Sequence, residues 1–310
     1  MTLGFIFPGQ GSQSVGMLTA LADLQPEIKA TFAEASEALG YDLWRLVSEG
    51  PEAELNRTEV TQPAMLVAGI ACWRVWNARG GARPAVMAGH SLGEYTALVC
   101  AEALSFADAV GLVAERGRLM QQAVPAGHGA MAAVLGLEDD ALREVCGASG
   151  EGEVVEAVNF NAPGQVVIAG HTAAVERAVA AARQAGAKRA MPLPVSVPCH
   201  SALMRPAAEE LSRRLERIEV SSPSVPVIHN FDVATHSEPA AIRATLTKQL
   251  YSPVRWVETV QAFAERGVDT LIECGPGKVL VGLNKRIDRN MTALALFDPS
   301  TLDAALQHTG

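Results

Sequence analysis

Short apolar runs alternate along this chain with longer amphipathic stretches, a pattern that predicts strands followed by helices. Leu3 to Phe7 is an apolar run closed by the turn signal Pro8-Gly9-Gln10-Gly11. Polar and amphipathic stretches to about Leu55 read as helices. Gln62 to Arg79, with apolar Met65, Ile70, Trp73 and Trp76, predicts a buried helix. A second apolar run, Ala85-Val86-Met87-Ala88, leads into Gly89-His90-Ser91-Leu92-Gly93, and a helical stretch from Glu94 to Ala101 follows. Ser105 stands at the N-cap position of a long helix reaching about Gln122.

The rhythm changes near Pro125-Ala126-Gly127. Strand Ala130–Leu135, helix Asp139–Cys146 and strand Val154–Val158 come first, then a turn at Asn161-Ala162-Pro163-Gly164. Strand Gln165–Ala169, helix Thr172–Ala185 and strand Lys188–Met191 complete the order β-α-β-β-α-β, a ferredoxin-like unit. Residues 127–192 therefore read as a small domain inserted into a large one formed by 1–126 and 193–310. In the large domain, helices are expected from Leu203, Pro239 and Trp256, and strands at Val225–Ile228 and Thr270–Glu273. Alternating strands and helices around Gly89–Gly93 predict an α/β fold with a largely parallel sheet.

The segment Gly89–Gly93 reads G-x-S-x-G between a strand and a helix, the setting of a nucleophile elbow. Its glycines let the backbone turn without a Cβ clash. Ser91 would project its hydroxyl above the sheet at the positive end of a helix. Such a nucleophile needs a base. Of the 7 histidines, His200 stands out in Pro198-Cys199-His200-Ser201, where proline sets the loop. His90 is expected to support the turn, its side chain directed away from that of Ser91. His128, His171, His229 and His236 lie in turn-like or polar settings and read as surface residues. His308 is two residues from the end.

Bulk properties limit the alternatives. A chain of 310 residues, 49% hydrophobic and 19% charged, matches an ordinary globular enzyme. Its net charge of -9 argues against nucleic acid as the main partner. No apolar run reaches the roughly 18 residues of a membrane span, and the start Met1-Thr2-Leu3-Gly4-Phe5 lacks a signal-peptide pattern. A cytoplasmic protein is expected. The 5 cysteines are scattered and form no C-x-x-C, which fits reduced thiols rather than a disulfide framework or a zinc site.

Several motifs together resemble one family. Phe7-Pro8-Gly9-Gln10-Gly11-Ser12-Gln13, Gly89-His90-Ser91-Leu92-Gly93-Glu94, Asn159-Phe160-Asn161-Ala162-Pro163-Gly164-Gln165, Pro192-Leu193-Pro194-Val195-Ser196-Val197-Pro198-Cys199-His200 and Gly275-Pro276-Gly277 occur in order. They are similar to malonyl-CoA:acyl carrier protein transacylases of bacterial fatty acid synthesis, nearly from end to end. The resemblance implies an α/β-hydrolase-like large domain with a ferredoxin-like insert, and a monomer. It implies Ser91 as the acylated nucleophile, His200 as general base and the backbone carbonyl of Gln249 as the group that orients the imidazole. The backbone N–H groups of Gln10 and Leu92 would form the oxyanion hole, each worth about 3–4 kcal/mol of barrier.

The resemblance also selects Arg116 to bind the carboxylate of the acyl group. Residues two apart face different sides of a helix, so Arg116 and Arg118 cannot both face a cavity. Without that carboxylate a buried guanidinium would stay unpaired, at roughly 2–5 kcal/mol. Malonyl-CoA and acyl carrier protein are the implied partners, with no metal or bound organic cofactor. Leu92 after the serine points weakly to malonyl selectivity. Cys199 departs from the serine common in the family. It is either a thiol activated by His200 or an inert small residue. An acidic carrier would need a local basic patch, for which Arg183, Lys188 and Arg189, or Lys285, Arg286 and Arg289, are candidates. Two other readings stand beside this one. One is an esterase with Ser91, Asp298 and His308 in that chain order; the other is a carrier-binding subunit without catalysis.

Overall fold

The computed structural model describes residues 1–195 and 197–310; Ser196, within the Pro192–His200 motif, lies outside the described residues. Two sheets organise the chain. The larger is built from β1 (Leu3–Phe7), β2 (Val86–Gly89), β7 (Val227–Ile228), β8 (Thr270–Cys274) and β9 (Thr292–Leu296), in the order β7-β2-β1-β8-β9. All its pairings are parallel. Every residue of β1 is buried because helices cover both faces, as a parallel sheet requires. Alternation sorts the side chains. Phe5 and Phe7 join the core beneath helices Thr58–Ala78 and Phe106–Ala123, whereas Ile6 joins the opposite core with Trp256 and Phe263.

The smaller sheet contains β3 (Gly129–Leu135), β4 (Val155–Ala162), β5 (Gln165–His171) and β6 (Arg189–Pro192), in the order β4-β5-β3-β6 with antiparallel neighbours. Helices Asp139–Ser149 and Thr172–Gln184 complete the β-α-β-β-α-β order. This unit has a hydrophobic core drawn entirely from 132–190. Its edge strand also reaches outward: the Val254 N–H donates to the Val158 carbonyl at 2.8 Å, and the Phe160 N–H to the Val254 carbonyl at 3.0 Å. That graft carries Asn159 and Asn161 over the C-terminal edge of the parallel sheet, where ligands bind in open α/β folds.

The α/β class and parallel sheet expected from the pattern are present. Three elements were not anticipated: β9 and the helices Val279–Ile287 and Pro299–Thr309. The expected strand Val225–Ile228 shrinks to two residues, and the Gln62 helix begins earlier, at Thr58, carrying Pro63 within it.

Candidate active site

The elbow forms where β2 ends. Ser91 has φ of 52°, a region that strains any residue with a Cβ. Asn230 holds it there by accepting from the Ser91 N–H at 2.7 Å and donating to the Gly89 carbonyl at 2.7 Å. The glycines are required by close approach. A Cβ on Gly89 would lie 1.9 Å from the Gly93 carbonyl carbon, one on Gly93 2.0 Å from the Phe7 oxygen, and one on Gly9 2.5 Å from the His90 oxygen. The turn after β1 and the elbow after β2 are thereby pressed together, and the His90 N–H donates to the Phe7 carbonyl at 2.9 Å.

His200 reaches this elbow from 109 residues away, with Nε2 at 2.7 Å from Ser91 Oγ. Its Nδ1 lies 2.8 Å from the Gln249 backbone oxygen. A carbonyl only accepts, so Nδ1 carries the hydrogen and Nε2 is left to take the hydroxyl proton. Burial first, and the Arg116 charge second, lower the His200 pKa to about 3, so the imidazole is neutral at physiological pH. The supporting loop is tied by scattered bonds. The His200 N–H donates to the Leu250 carbonyl at 3.0 Å, and the Ala202 N–H to Glu156 Oε2, on β4, at 2.8 Å.

Arg116 is 1% exposed, whereas Arg118 points to solvent and pairs with Glu115 and Gln122. Gly117 lets their helix press on Thr58–Ala78, since a Cβ there would meet the Thr58 oxygen at 2.7 Å. The guanidinium donates through Nη1 to Gln62 Oε1 at 2.8 Å and through Nη2 to Gln249 Oε1 at 3.0 Å and Ser91 Oγ at 3.3 Å. Its Nε has no partner among the described residues. A buried cation whose direct hydrogen-bond partners are all neutral is poorly compensated, and an anionic group beside Ser91 would supply what it lacks.

Ser91, His200, Arg116 and Gln62 line a cavity of about 240 Å³, together with Gln10, Leu92, His90, Met120, Asn161 and Cys199. Among the described residues the backbone N–H groups of Gln10 and Leu92 have no acceptor. Ser91, His200, Arg116, Gln249, Gln10 and Leu92 are thus gathered in one place. Asp298 and His308 are elsewhere: Asp298 caps the last helix through the Thr301 N–H, and His308 is exposed in its final turn. The Cys199 thiol is pushed up to about 11 by burial, which disfavours the reactive thiolate.

Two histidines depart from expectation. His90 does more than support the turn: its Nε2 meets Asn161 Oδ1 at 2.8 Å, bridging the elbow to the second sheet. His229 is fully buried rather than at the surface, with Nδ1 at 2.8 Å from Glu94 Oε1. Glu94, Asn230, Gln62 and Asn161 were not singled out from the sequence. Glu94 carries a usable signal, being the one charged residue in the helix Gly93–Cys100, where a buried carboxylate needs partners.

Known proteins resemble this chain over nearly its whole length. The acyl transferase domain model matches residues 4–293. The malonyl CoA-acyl carrier protein transacylase of Salmonella typhimurium is 59% identical over 97% of this chain and 98% of that protein. The Bacillus subtilis protein of the same name is 47% identical over 98% and 96%. Among solved structures, the malonyl CoA-acyl carrier protein transacylase of Coxiella burnetii superposes with a TM-score of 0.99 at 50% identity, covering 100% of this chain and 98% of that one. A malonyl-transacylase solved in complex with its type II PKS acyl-carrier protein also gives 0.99, at 54% identity and 99% and 100% coverage. The chain is an acyltransferase and belongs to the acyl transferase domain family, among the malonyl CoA-acyl carrier protein transacylases.

Proposed function

We propose that the chain moves a malonyl group from malonyl-CoA to the phosphopantetheine thiol of acyl carrier protein through an ester on Ser91, supplying fatty acid elongation. The observation that carries this reading is the meeting of three groups at one oxygen: Ser91 Oγ lies 2.7 Å from His200 Nε2 and 3.3 Å from Arg116 Nη2. A nucleophile, a base and a carboxylate receptor then act on the two ends of one short acyl group.

His200 Nε2 takes the Ser91 proton as Oγ bonds to the thioester carbon. The carbonyl oxygen becomes an oxyanion facing the Gln10 and Leu92 N–H groups. The C–S bond breaks, and the proton passes from Nε2 to the departing coenzyme A sulfur. In the second step the carrier thiol gives its proton to His200 and bonds to the same carbon, and Ser91 Oγ leaves and recovers that proton. Gln249's carbonyl keeps the imidazole in the required tautomer throughout. The fork of Arg116 holds the malonyl carboxylate. No metal or bound cofactor enters these steps.

The reading takes 127–192 as a small domain inserted in the large one, supported by its separate core. It also merges the two basic clusters into one face for the carrier. The Lys188 side chain packs on Gly136, the Gly136 N–H donates to the Gly164 carbonyl at 2.8 Å, and Arg286 donates to the Pro163 carbonyl at 3.3 Å. Both clusters thus flank the β4–β5 hairpin. Arg183 is occupied by the Ala190 carbonyl, so Lys188, Arg189, Lys285 and Arg289 would meet an acidic carrier.

Transfer to holo carrier protein from malonyl-CoA and acetyl-CoA tests the reading. Malonyl transfer should dominate, and Arg116→Ala should cut it by about 30- to 5,000-fold, the rate equivalent of roughly 2–5 kcal/mol. Equal use of both thioesters by the unaltered protein would overturn it.

A further inference from the structure

The Gln249 side chain stands between the two buried charges of the site. Its Oε1 accepts from Arg116 Nη2 at 3.0 Å, while its Nε2 donates to Glu94 Oε2 at 2.9 Å and to the Ser91 carbonyl at 3.0 Å. Glu94 is fully buried and Gln249 is 1% exposed. The second Glu94 oxygen meets His229 Nδ1 at 2.8 Å, and its Oε2 also accepts the Asn230 N–H at 2.9 Å. Asn230 in turn clamps the elbow.

An amide side chain has nearly the same shape when its oxygen and nitrogen are exchanged, so only its partners decide which way it stands. Arg116 donates only. Turning Gln249 over would aim an NH₂ at the guanidinium and an oxygen at both the Ser91 carbonyl and the Glu94 carboxylate. We propose that Glu94 is a positioning residue: its carboxylate fixes the orientation of the Gln249 amide, and the amide oxygen so presented aims Arg116 at the acyl group on Ser91. Glu94 thereby serves as a counter-charge to Arg116 at one remove, with the amide polarised between anion and cation. A direct Glu94–Arg116 ion pair would quench the receptor. The interposed amide leaves room on the fork for the substrate's own carboxylate.

This inference rests on the malonyl-selective reading given above, and the experiment separates the two. Acyl transfer from malonyl-CoA and acetyl-CoA is measured for the unaltered protein, Glu94→Gln, Gln249→Leu and the double variant, with a thermal melt of each. Gln249→Leu keeps the backbone carbonyl that orients His200. The unaltered protein must first favour malonyl-CoA, or the underlying reading fails. Glu94→Gln, which keeps the shape but can present an NH₂, should lower the malonyl-to-acetyl ratio of kcat/KM about tenfold. In the Gln249→Leu background the same change should have little further effect on that ratio, because the route from Glu94 to Arg116 is already cut. A ratio unchanged in Glu94→Gln, or equal losses in both backgrounds, would overturn the proposal. Should Glu94→Gln not fold, an undiminished ratio in Gln249→Leu still overturns the proposal.

Discussion

The two walls of the cavity are built in opposite ways. The elbow that carries Ser91 is fixed by its own backbone and that of the neighbouring strand, with main-chain atoms so close at Gly9, Gly89 and Gly93 that no Cβ fits. The His200 loop belongs to no regular element. It is held by single bonds from distant places: Gln249 and Leu250 from one side, and Glu156 on β4 from the other. The geometry of Ser91 is therefore set mainly by the parallel sheet, with one distant clamp from Asn230, whereas that of His200 rests on tertiary contacts. The second sheet takes part in the active site through Glu156 and, through Asn161, on His90.

Substitutions should separate the walls sharply. Gly93→Ala places a methyl 2.0 Å from the Phe7 oxygen, where neither backbone can retreat. The expected cost is about 3 kcal/mol or more, seen as a melting temperature lower by about 5–10 °C. A variant as stable as the parent would show that the elbow yields as the loop does.

The next largest effect concerns pH. In the proposed mechanism His200 acts as a neutral base, and its pKa is lowered to about 3 by burial and by Arg116. Activity lost by protonating it should appear only on approach to that value. Single-turnover acylation should therefore hold between pH 8 and pH 5, where an ordinary imidazole would lose about thirtyfold. In Arg116→Ala the acid limb should move up toward the ordinary histidine range, because the second cause of the shift is gone. A limb near pH 6.5 in the unaltered protein would contradict the burial argument. Stability carries the same sign: the unfolded chain binds the proton first, so this group destabilises the fold as pH falls below about 6.5.

The smallest effect tests the loop. Glu156→Ala removes the acceptor for the Ala202 N–H, a loss of about 0.5–1.5 kcal/mol. Acylation should slow several-fold while the melting temperature falls by only about 2–4 °C, and Glu156→Gln, which keeps an acceptor oxygen, should restore the rate. An unchanged rate in Glu156→Ala would mean that Gln249 and Leu250 suffice to hold His200.

The same contrast explains what could be read from the sequence. The elbow was legible because its cause is local: an apolar strand, glycines at fixed spacing and a helix start within a few residues. The order of the second sheet was legible for the same reason, each strand and helix being bounded by its own turns. Arg116 could be told from Arg118 by helical phase once the resemblance had chosen between them. His229 reads as a surface residue because its partner Glu94 lies 135 residues earlier, although the buried strand Val227–Ile228 directly precedes it. The segment after Cys274 was passed over because Thr292–Leu296 alternates only weakly, with burial of mixed character. Val279–Ile287 is short and ends in Lys285 and Arg286.

In the proposed mechanism Ser91 holds the malonyl group between two thiols. Intact-protein mass spectrometry after mixing with malonyl-CoA alone, with peptide mapping of the product, can detect that ester. A single malonyl adduct is expected on Ser91, lost when holo carrier protein is added, with none on Ser91→Ala. No adduct on the unaltered protein, or the same adduct on Ser91→Ala, would contradict that mechanism.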